Sequence, residues 1–178
     1  MSDPSRETPA GVTPLSRIET MPLGIVLERR RSASPWQEWS WRPVSVIPGA
    51  PPVEGAWRQL QEGEGWAHFH AATLPLELHR TDTEGYRLNL SQEPPRLWVV
   101  LRPDEGRDEP GAVVPFLVTA SAHECEVYQV SGVEIVDTVV MPEPVVALLR
   151  DFTEQHHVDV PFEKRQRKRH FPAPDGRP

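Results

Sequence analysis

The sequence predicts an α+β fold, in which two C-terminal helices pack on a mostly antiparallel sheet of roughly five to seven strands. Short runs of alternating or continuous apolar residues, separated by turn residues, fill most of the chain and are typical of strands. Helical spacing of apolar residues occurs only near the C-terminus. The 21 prolines among 178 residues exceed twice the usual share of ~5% and disfavour long helices. The pattern leaves open whether the sheet closes into a barrel.

The chain divides into a tail, one domain and a second tail. Residues 1–20 are rich in Ser, Thr and Pro and lack the apolar run of a secretory signal, so we predict a disordered segment. Residues 21–162 carry the apolar patterning of a single domain, and 163–178 form a basic, Pro-containing tail. No stretch supplies the ~20 apolar residues of a membrane span. We therefore expect a soluble protein that does not enter a membrane.

The strands are predicted from periodicity and turn residues. They are 23–29, 38–46, 74–80, 86–90, 97–101 and 113–119. A turn at 82–85 predicts that 74–80 and 86–90 form a hairpin. The continuous apolar run 97–101 predicts a central strand, and Pro115 predicts an edge position for 113–119.

Two tryptophan-containing segments give further local predictions. If residues 38–46 form a strand, Trp39 and Trp41 share one face and Val44 and Val46 the other. Around Trp57, before two glycines, a single helical turn is predicted.

Two helices are predicted at the C-terminal end of the domain. Ser121 and Glu124 match a capping box, and that helix is expected to end near Gly132. Pro142 and Pro144 stand where a second helix can begin, since a first-turn proline loses no hydrogen bond. The segment between the two helices is predicted as a last strand or an extended connection.

The motifs of common enzyme classes are not found in the sequence. It has no glycine-rich dinucleotide loop, no P-loop and no nucleophile elbow. The only cysteine, Cys125, lies between Glu124 and Glu126, which raise the pKa of a thiol and disfavour a nucleophile. We therefore predict a protein that is not an enzyme and has no cofactor.

Three histidines are weak candidates for metal ligands. His68 and His70 point to the same face if they lie on a strand, and His79 is expected on the neighbouring strand. A zinc site needs three or four convergent ligands, and the sequence places only two with assurance. We accordingly predict no metal site.

A tryptophan- and arginine-rich segment is the first candidate for partner binding. Trp36, Trp39 and Trp41 fall within six residues and follow Arg29 and Arg30. Tryptophan and arginine are enriched at interface hot spots, which favours an interaction surface. The alternative is that the rings fill the core, as we expect for Trp57 and Trp98.

The basic tail is the second candidate for partner binding. Residues 21–162 hold 21 acidic and 11 basic residues, a net charge of −10, whereas the tail is strongly positive. Its cationic residues are Lys164, Arg165, Arg167, Lys168 and Arg169. The tail is either a solvated segment or a site that docks on an acidic protein surface. Because the domain is acidic, we do not expect nucleic acid binding.

Several stretches resemble a bacterial domain family of unknown function. They are PLGIVLER at 22–29, the tryptophan-rich 36–41, LPLELHR at 74–80, YRLNL at 86–90, PPRLWVVLR at 94–102, FLVTAS at 116–121, MP at 141–142 and FEKR at 162–165. The resemblance covers about residues 21–169. Members of this family are typically encoded in proteobacterial gene clusters for molybdenum-dependent formate dehydrogenase, beside genes for a chaperone and another small protein.

The resemblance implies a cytoplasmic accessory or assembly protein for that enzyme. Its expected partner is a formate dehydrogenase subunit, the chaperone or the neighbouring small protein. The alternative is a small-molecule or metal-binding module linked to molybdenum cofactor handling. Some family members carry the label of molybdopterin-guanine dinucleotide biosynthesis, but this sequence lacks the glycine-rich nucleotide loop that such an activity requires. The resemblance supplies no catalytic residues.

Overall fold

Two antiparallel sheets and three α-helices make up the fold in residues 18–107 and 111–158, the part of the chain that the computed structural model describes. In chain order the elements are β1 (Ile18–Arg31), β2 (Trp39–Pro48), β3 (Arg58–Gly63), β4 (Trp66–His79), α1 (Thr83–Leu90), β5 (Arg96–Pro103), β6 (Val113–Thr119), α2 (Ala122–Ser131), β7 (Ile135–Val140) and α3 (Glu143–His156). A 3₁₀ turn, Arg80–Asp82, connects β4 to α1. This arrangement confirms the predicted α+β class.

The first sheet has the strand order β2-β1-β4-β3, and the second has the order β6-β5-β7. The long strands β1 and β4, 14 residues each, pair along almost their whole length at the centre of the first sheet. The two sheets approach each other where β4 contacts β6 and where β2 contacts β7. The described strands of one sheet do not pair with those of the other, so they form no closed barrel.

One apolar cluster lies between the sheets and under α3. Alternate residues of β1 and β5 face it, because successive side chains on a strand point to opposite faces. Its fully buried members from β1, β5 and α3 are Leu23, Ile25, Leu27, Leu97, Val99, Leu101, Val145, Leu149 and Phe152. The core therefore joins both sheets and the C-terminal helix into one packed unit.

Several sequence predictions are confirmed. The strand β5 is central in its sheet, and β6, which contains Pro115, is at the edge. Helix α2 begins after Ser121 and ends before Gly132, which takes the left-handed φ of +68°. Ser121 makes no side-chain capping bond, so the predicted capping box marks the helix start without forming its hydrogen bond.

The predicted hairpin of 74–80 with 86–90 is wrong, because 86–90 belongs to helix α1. Tyr86 and Leu90 are four residues apart and share a helix face as well as a strand face, so five alternating residues do not separate the two structures. The buried side chain of Asn89 hydrogen-bonds the backbone of Arg96 and Ala120 and holds the helix against the second sheet. These contacts are nonlocal and have no signal in the segment itself.

The predicted helical turn after Trp57 is also wrong, because Arg58–Gly63 forms strand β3. It pairs with β4 through a two-residue turn of Glu64 and Gly65, and Gly65 has a φ of +73°. A glycine in that conformation is typical of tight hairpin turns. The two glycines close a hairpin and do not terminate a helix.

A β-bulge corrects the predicted faces of β2. Leu27 pairs with Pro43 but Val26 pairs with Ser45, so Val44 is an extra residue in the strand. A bulge shifts the alternation by one residue. Val46 therefore joins Trp41 in the core cluster and does not lie on the opposite face.

The first strand begins slightly before the predicted start of the domain. Strand β1 begins at Ile18, inside the segment predicted as a disordered tail, and residues 18–20 pair with the end of β4. The predicted tail 163–178, with its five basic residues, lies outside the described residues. None of the described helices has both the length and the hydropathy that crossing a bilayer requires.

Candidate functional site

The end of the β1–β2 hairpin carries charged side chains on both faces of the first sheet. Because strand residues alternate, Glu28 and Arg30 lie on one face, and Arg29 and Arg31 lie on the other. The first face holds an ion-pair network, and the second holds a cluster of aromatic rings.

The Glu28 network joins one buried carboxylate to three basic side chains. Glu28 is only 4% exposed and receives two hydrogen bonds of 3.0 Å from Arg30, one to each carboxylate oxygen. Arg42 of β2 donates its Nε to Oε1 at 3.0 Å, and His68 of β4 donates its Nε2 to Oε2 at 3.2 Å. The carboxylate therefore links three neighbouring strands, β2, β1 and β4, by side-chain contacts.

The surroundings of Glu28 favour its ionised form. Hydrogen bonds from Arg30, and then those from His68 and Arg42, outweigh the effect of burial and lower the pKa of Glu28 from 4.5 to about 2. Charge-assisted hydrogen bonds to a carboxylate act in this direction. The network is fully formed at neutral pH, and both Arg30 and Arg42 are committed to it.

The aromatic–arginine cluster occupies the opposite face and consists of Arg29, Trp39, Trp41, Trp57 and Phe69. The guanidinium carbon of Arg29 lies 4.5 Å from the ring centre of Trp39, 5.3 Å from Phe69 and 6.0 Å from Trp41. Trp41 and Trp57 meet edge to face at 5.2 Å. Contacts of a cation with several ring faces are attractive and fix the plane of the guanidinium.

Two donors in the aromatic–arginine cluster have no acceptor. The Nε of Arg29 and the Nε1 of Trp41 are buried and make no hydrogen bond in the described part of the protein. The two terminal nitrogens of Arg29 make no hydrogen bond within the described residues either, but they are not fully buried and therefore reach solvent. Unsatisfied buried donors are rare in proteins and mark places that deserve a functional explanation.

The three clustered tryptophans have different environments. Trp36 is 90% exposed in the loop between β1 and β2, Trp39 is half-buried beside Arg29, and Trp41 is buried in the core. Trp57 packs against the core as expected, whereas Trp98 is half-buried and outside the core cluster. Of the predicted binding tryptophans, Trp36 and Trp39 can contact a partner directly. Trp41 is buried and contacts Arg29 from the core side.

The three candidate metal ligands do not converge. His68 binds Glu28, His70 donates to Thr73 Oγ1 at 3.0 Å, and His79 lies 3.5 Å from Glu77. In residues 18–107 and 111–158 no group of three or more His, Cys, Asp or Glu side chains is arranged to hold a metal ion. Each of these histidines has its own local partner.

Cys125 is fully buried in α2, as predicted for an inert thiol. Burial, with a further contribution from Glu124, raises the pKa of Cys125 to about 12. A thiol with that pKa is protonated at neutral pH and is a poor nucleophile.

A cleft that the sequence did not predict lies between α1 and α3. It has a volume of about 450 Å³ and is lined by Arg87, Leu90, Ser91, Arg150, Thr153, Glu154 and His157. Arg87 donates to the Nε2 of His157 at 2.7 Å, and the Nδ1 of His157 donates to Thr83 at 3.1 Å. These residues come from distant parts of the chain, so no local sequence pattern predicts the cleft.

Comparison with known families gives a match over most of the chain. The model of a family described as a protein of unknown function, DUF3305, matches residues 22–167. The chain belongs to this family. The DUF3305 match runs from β1 through α3 and includes both faces of the hairpin end. No curated protein and no solved structure shows a significant match to the chain.

Proposed function

We propose that the protein is a non-enzymatic accessory or assembly protein that binds a component of a molybdenum-dependent formate dehydrogenase system. The candidate partners are a subunit of that enzyme, its chaperone or the small protein encoded beside it. The observation that carries the proposal is the solvent-facing part of the hairpin end, where Trp36 is 90% exposed in the loop and Trp39, three residues later, contacts Arg29. Such tryptophan and arginine side chains are typical anchors of protein–protein interfaces.

The exposure of Trp36 is the main support for protein binding. A side chain of this size that is 90% exposed adds apolar surface to water, which is unfavourable unless a partner covers it. The partner's identity rests on the resemblance to the family found in formate dehydrogenase gene clusters.

Affinity capture from the native cytosol tests this function. Cells grown with formate and molybdate would supply the partners, and mass spectrometry would identify what the protein retains. We expect the wild type to retain stoichiometric formate dehydrogenase subunits, chaperone or neighbouring protein. With Trp36→Ala we expect the amount of captured partner to fall at least about tenfold. Val130→Ala is the matched control, because Val130 is 87% exposed on α2, away from the hairpin end.

Removal of residues 163–178 tests the tail separately. We expect the truncated protein to fold normally and to capture less partner, because the basic tail would steer an acidic surface toward the domain. Equal capture by the truncated and full-length proteins would exclude the tail from binding. Capture of none of the three partner types by the full-length protein would contradict the proposed function as a whole.

The second candidate function is a small-molecule binding module, and the α1–α3 cleft favours it. Its volume of about 450 Å³ is within the range of ligand pockets, and Arg150 supplies a cation near its apolar Leu90. Native mass spectrometry of protein purified without denaturation would detect a bound organic anion. A ligand lost in Arg150→Gln would support this module, and a ligand-free protein would count against it.

A further inference from the structure

We propose that Arg29 binds a carboxylate of the partner protein, either an acidic side chain or a chain terminus, at the solvent edge of the aromatic–arginine cluster. This inference rests on the proposed function, because it names the chemistry that the hairpin end recognises. The inference concerns the role of Arg29, which the exposure of Trp36 alone does not explain.

The first argument is a missing countercharge. Three neighbouring arginines each have a carboxylate: Arg30 and Arg42 pair with Glu28 at 3.0 Å, and Arg31 pairs with Glu38 at 3.6 Å. Within residues 18–107 and 111–158, no carboxylate lies within ion-pair distance of Arg29, and no hydrogen bond uses its nitrogens. A half-buried cation in an aromatic environment gains more from a carboxylate than an exposed one does.

The second argument is geometric. The contacts with Trp39 and Phe69 fix the guanidinium, and its Nε is the atom that is buried. The terminal nitrogens are consequently the donors presented to solvent, with little rotamer freedom left to lose on binding. A fixed planar fork of this kind matches the two oxygens of a carboxylate.

The third argument concerns which anion fits. Phosphate groups of nucleic acid have suitable oxygens, but they arrive as a polyanion. The domain carries a net charge of −10 over residues 21–162, which repels an extended polyanion more than it repels one carboxylate. An apolar residue of the same partner segment would also supply a contact for the ring of Trp36, which is exposed in the loop of the same hairpin. A protein carboxylate therefore fits the charge and the apolar surface together.

Titration with defined peptides tests the inference without the natural partner. The probe is a blocked hexapeptide of alternating glutamate and leucine, and its control is the same peptide with glutamine for glutamate. Two-dimensional ¹H–¹⁵N NMR would follow the Nε–H signals of Arg29 and the indole signals of Trp39 and Trp41. We expect saturable shifts of these signals with the glutamate peptide, and affinity about tenfold lower for the glutamine peptide.

Variants of Arg29 give the decisive comparison. Arg29→Met keeps an unbranched apolar stem against the rings and removes the donors, so affinity should fall about tenfold or more. Arg29→Lys keeps the charge without the planar guanidinium, so its affinity for the glutamate peptide should lie between those of the wild type and Arg29→Met. This variant also decides the question if Arg29→Met does not fold. Arg58→Met is the matched control, since it removes an exposed arginine from strand β3 and should change affinity less than about twofold.

The outcomes separate this inference from the proposed function. Equal binding of the glutamate and glutamine peptides, or unchanged binding by both Arg29 variants, would overturn the carboxylate site. A single-stranded oligothymidylate that outcompetes the glutamate peptide would replace it with a nucleic acid site. If capture of the partner depends on Trp36 but survives Arg29→Met, the accessory function stands and the carboxylate site fails.

Discussion

At the residue scale, Glu28 is a structural carboxylate that holds three strands through its side chain. Arg42 is 14 residues away in the sequence and His68 is 40 away, so neither contact has a local sequence signal. Both depend on the strand register, which places Glu28 opposite Arg42 and opposite His68. The sequence could place Arg29 near tryptophans, but it could not show that Glu28 forms ion pairs with Arg30 and Arg42.

Glu28→Gln should destabilise the protein. The substitution removes the charge and leaves Arg30, Arg42 and His68 around a neutral amide, so we expect the free energy of unfolding to fall by about 1–3 kcal/mol. Urea denaturation followed by circular dichroism measures it. Glu38→Gln is the control, because the Glu38–Arg31 pair is longer, at 3.6 Å, and exposed, and should change stability by less than about 1 kcal/mol. Equal effects of the two substitutions would show that the network adds no more than an exposed ion pair.

The same carboxylate gives stability a defined pH dependence. The pKa of Glu28 is lowered to about 2 in the folded protein from 4.5, so its contribution is complete above pH 4.5 and is lost as the pH falls toward 2. The difference in unfolding free energy between the wild type and Glu28→Gln should therefore shrink across that window. Urea denaturation at several pH values between 6 and the acid limit of folding measures the difference. A gap that stays constant down to about pH 2 would contradict the assigned network.

At the element scale, helices α2 and α3 were predictable and α1 was not. The starts of α2 and α3 carry local markers at Ser121 and Pro142, and α3 has long helical spacing. Helix α1 has only eight residues, and its position depends on contacts with other elements. Tyr86 accepts a hydrogen bond from the backbone of His79, and Asn89 bonds to Arg96 and Ala120. Periodicity does not predict short elements whose position depends on nonlocal hydrogen bonds.

Asn89→Leu should weaken the attachment of α1 to the second sheet. The change leaves the carbonyls of Arg96 and Ala120 and the N–H of Arg96 without their present partner, so we expect a loss of about 3 kcal/mol. Thermal and urea unfolding measure this loss. Leu88→Ala on the same helix is the control, because Leu88 is 62% exposed and should cost less than about 0.5 kcal/mol. A similar cost for both variants would argue that Asn89 is not the anchor.

At the scale of the whole molecule, the α+β class followed from the sequence but the division into two sheets did not. Local patterns identify strands, whereas the order β2-β1-β4-β3 depends on which distant strands pair. The bulge at Val44 also has no marker that distinguishes it from regular alternation. The candidate site was partly predictable, since the tryptophans and Arg29 are near one another in sequence. The exposure of each ring could not be predicted, because it depends on how the hairpin sits over the core.

The two sheets should unfold together. Their inner faces share one apolar cluster with α3, so loss of either sheet exposes the core of the other. Trp41 and Trp57 report on the first sheet, and Trp98 on β5 reports on the second. We expect Trp98→Phe and the wild type to show coincident urea transitions by fluorescence and by far-ultraviolet circular dichroism. Separate midpoints for the two probes would indicate that the sheets are independent units.

The alternation of charge along β1 restricts how this family can change through evolution. A single residue inserted between Glu28 and Arg29 would turn every later side chain of the strand to the other face, placing Arg29 with the network and Arg30 among the rings. Deletions would have the same effect. Insertions and deletions among relatives should therefore collect in the loop at 32–38, where the backbone has no such alternation to preserve, while β1 changes by substitution alone.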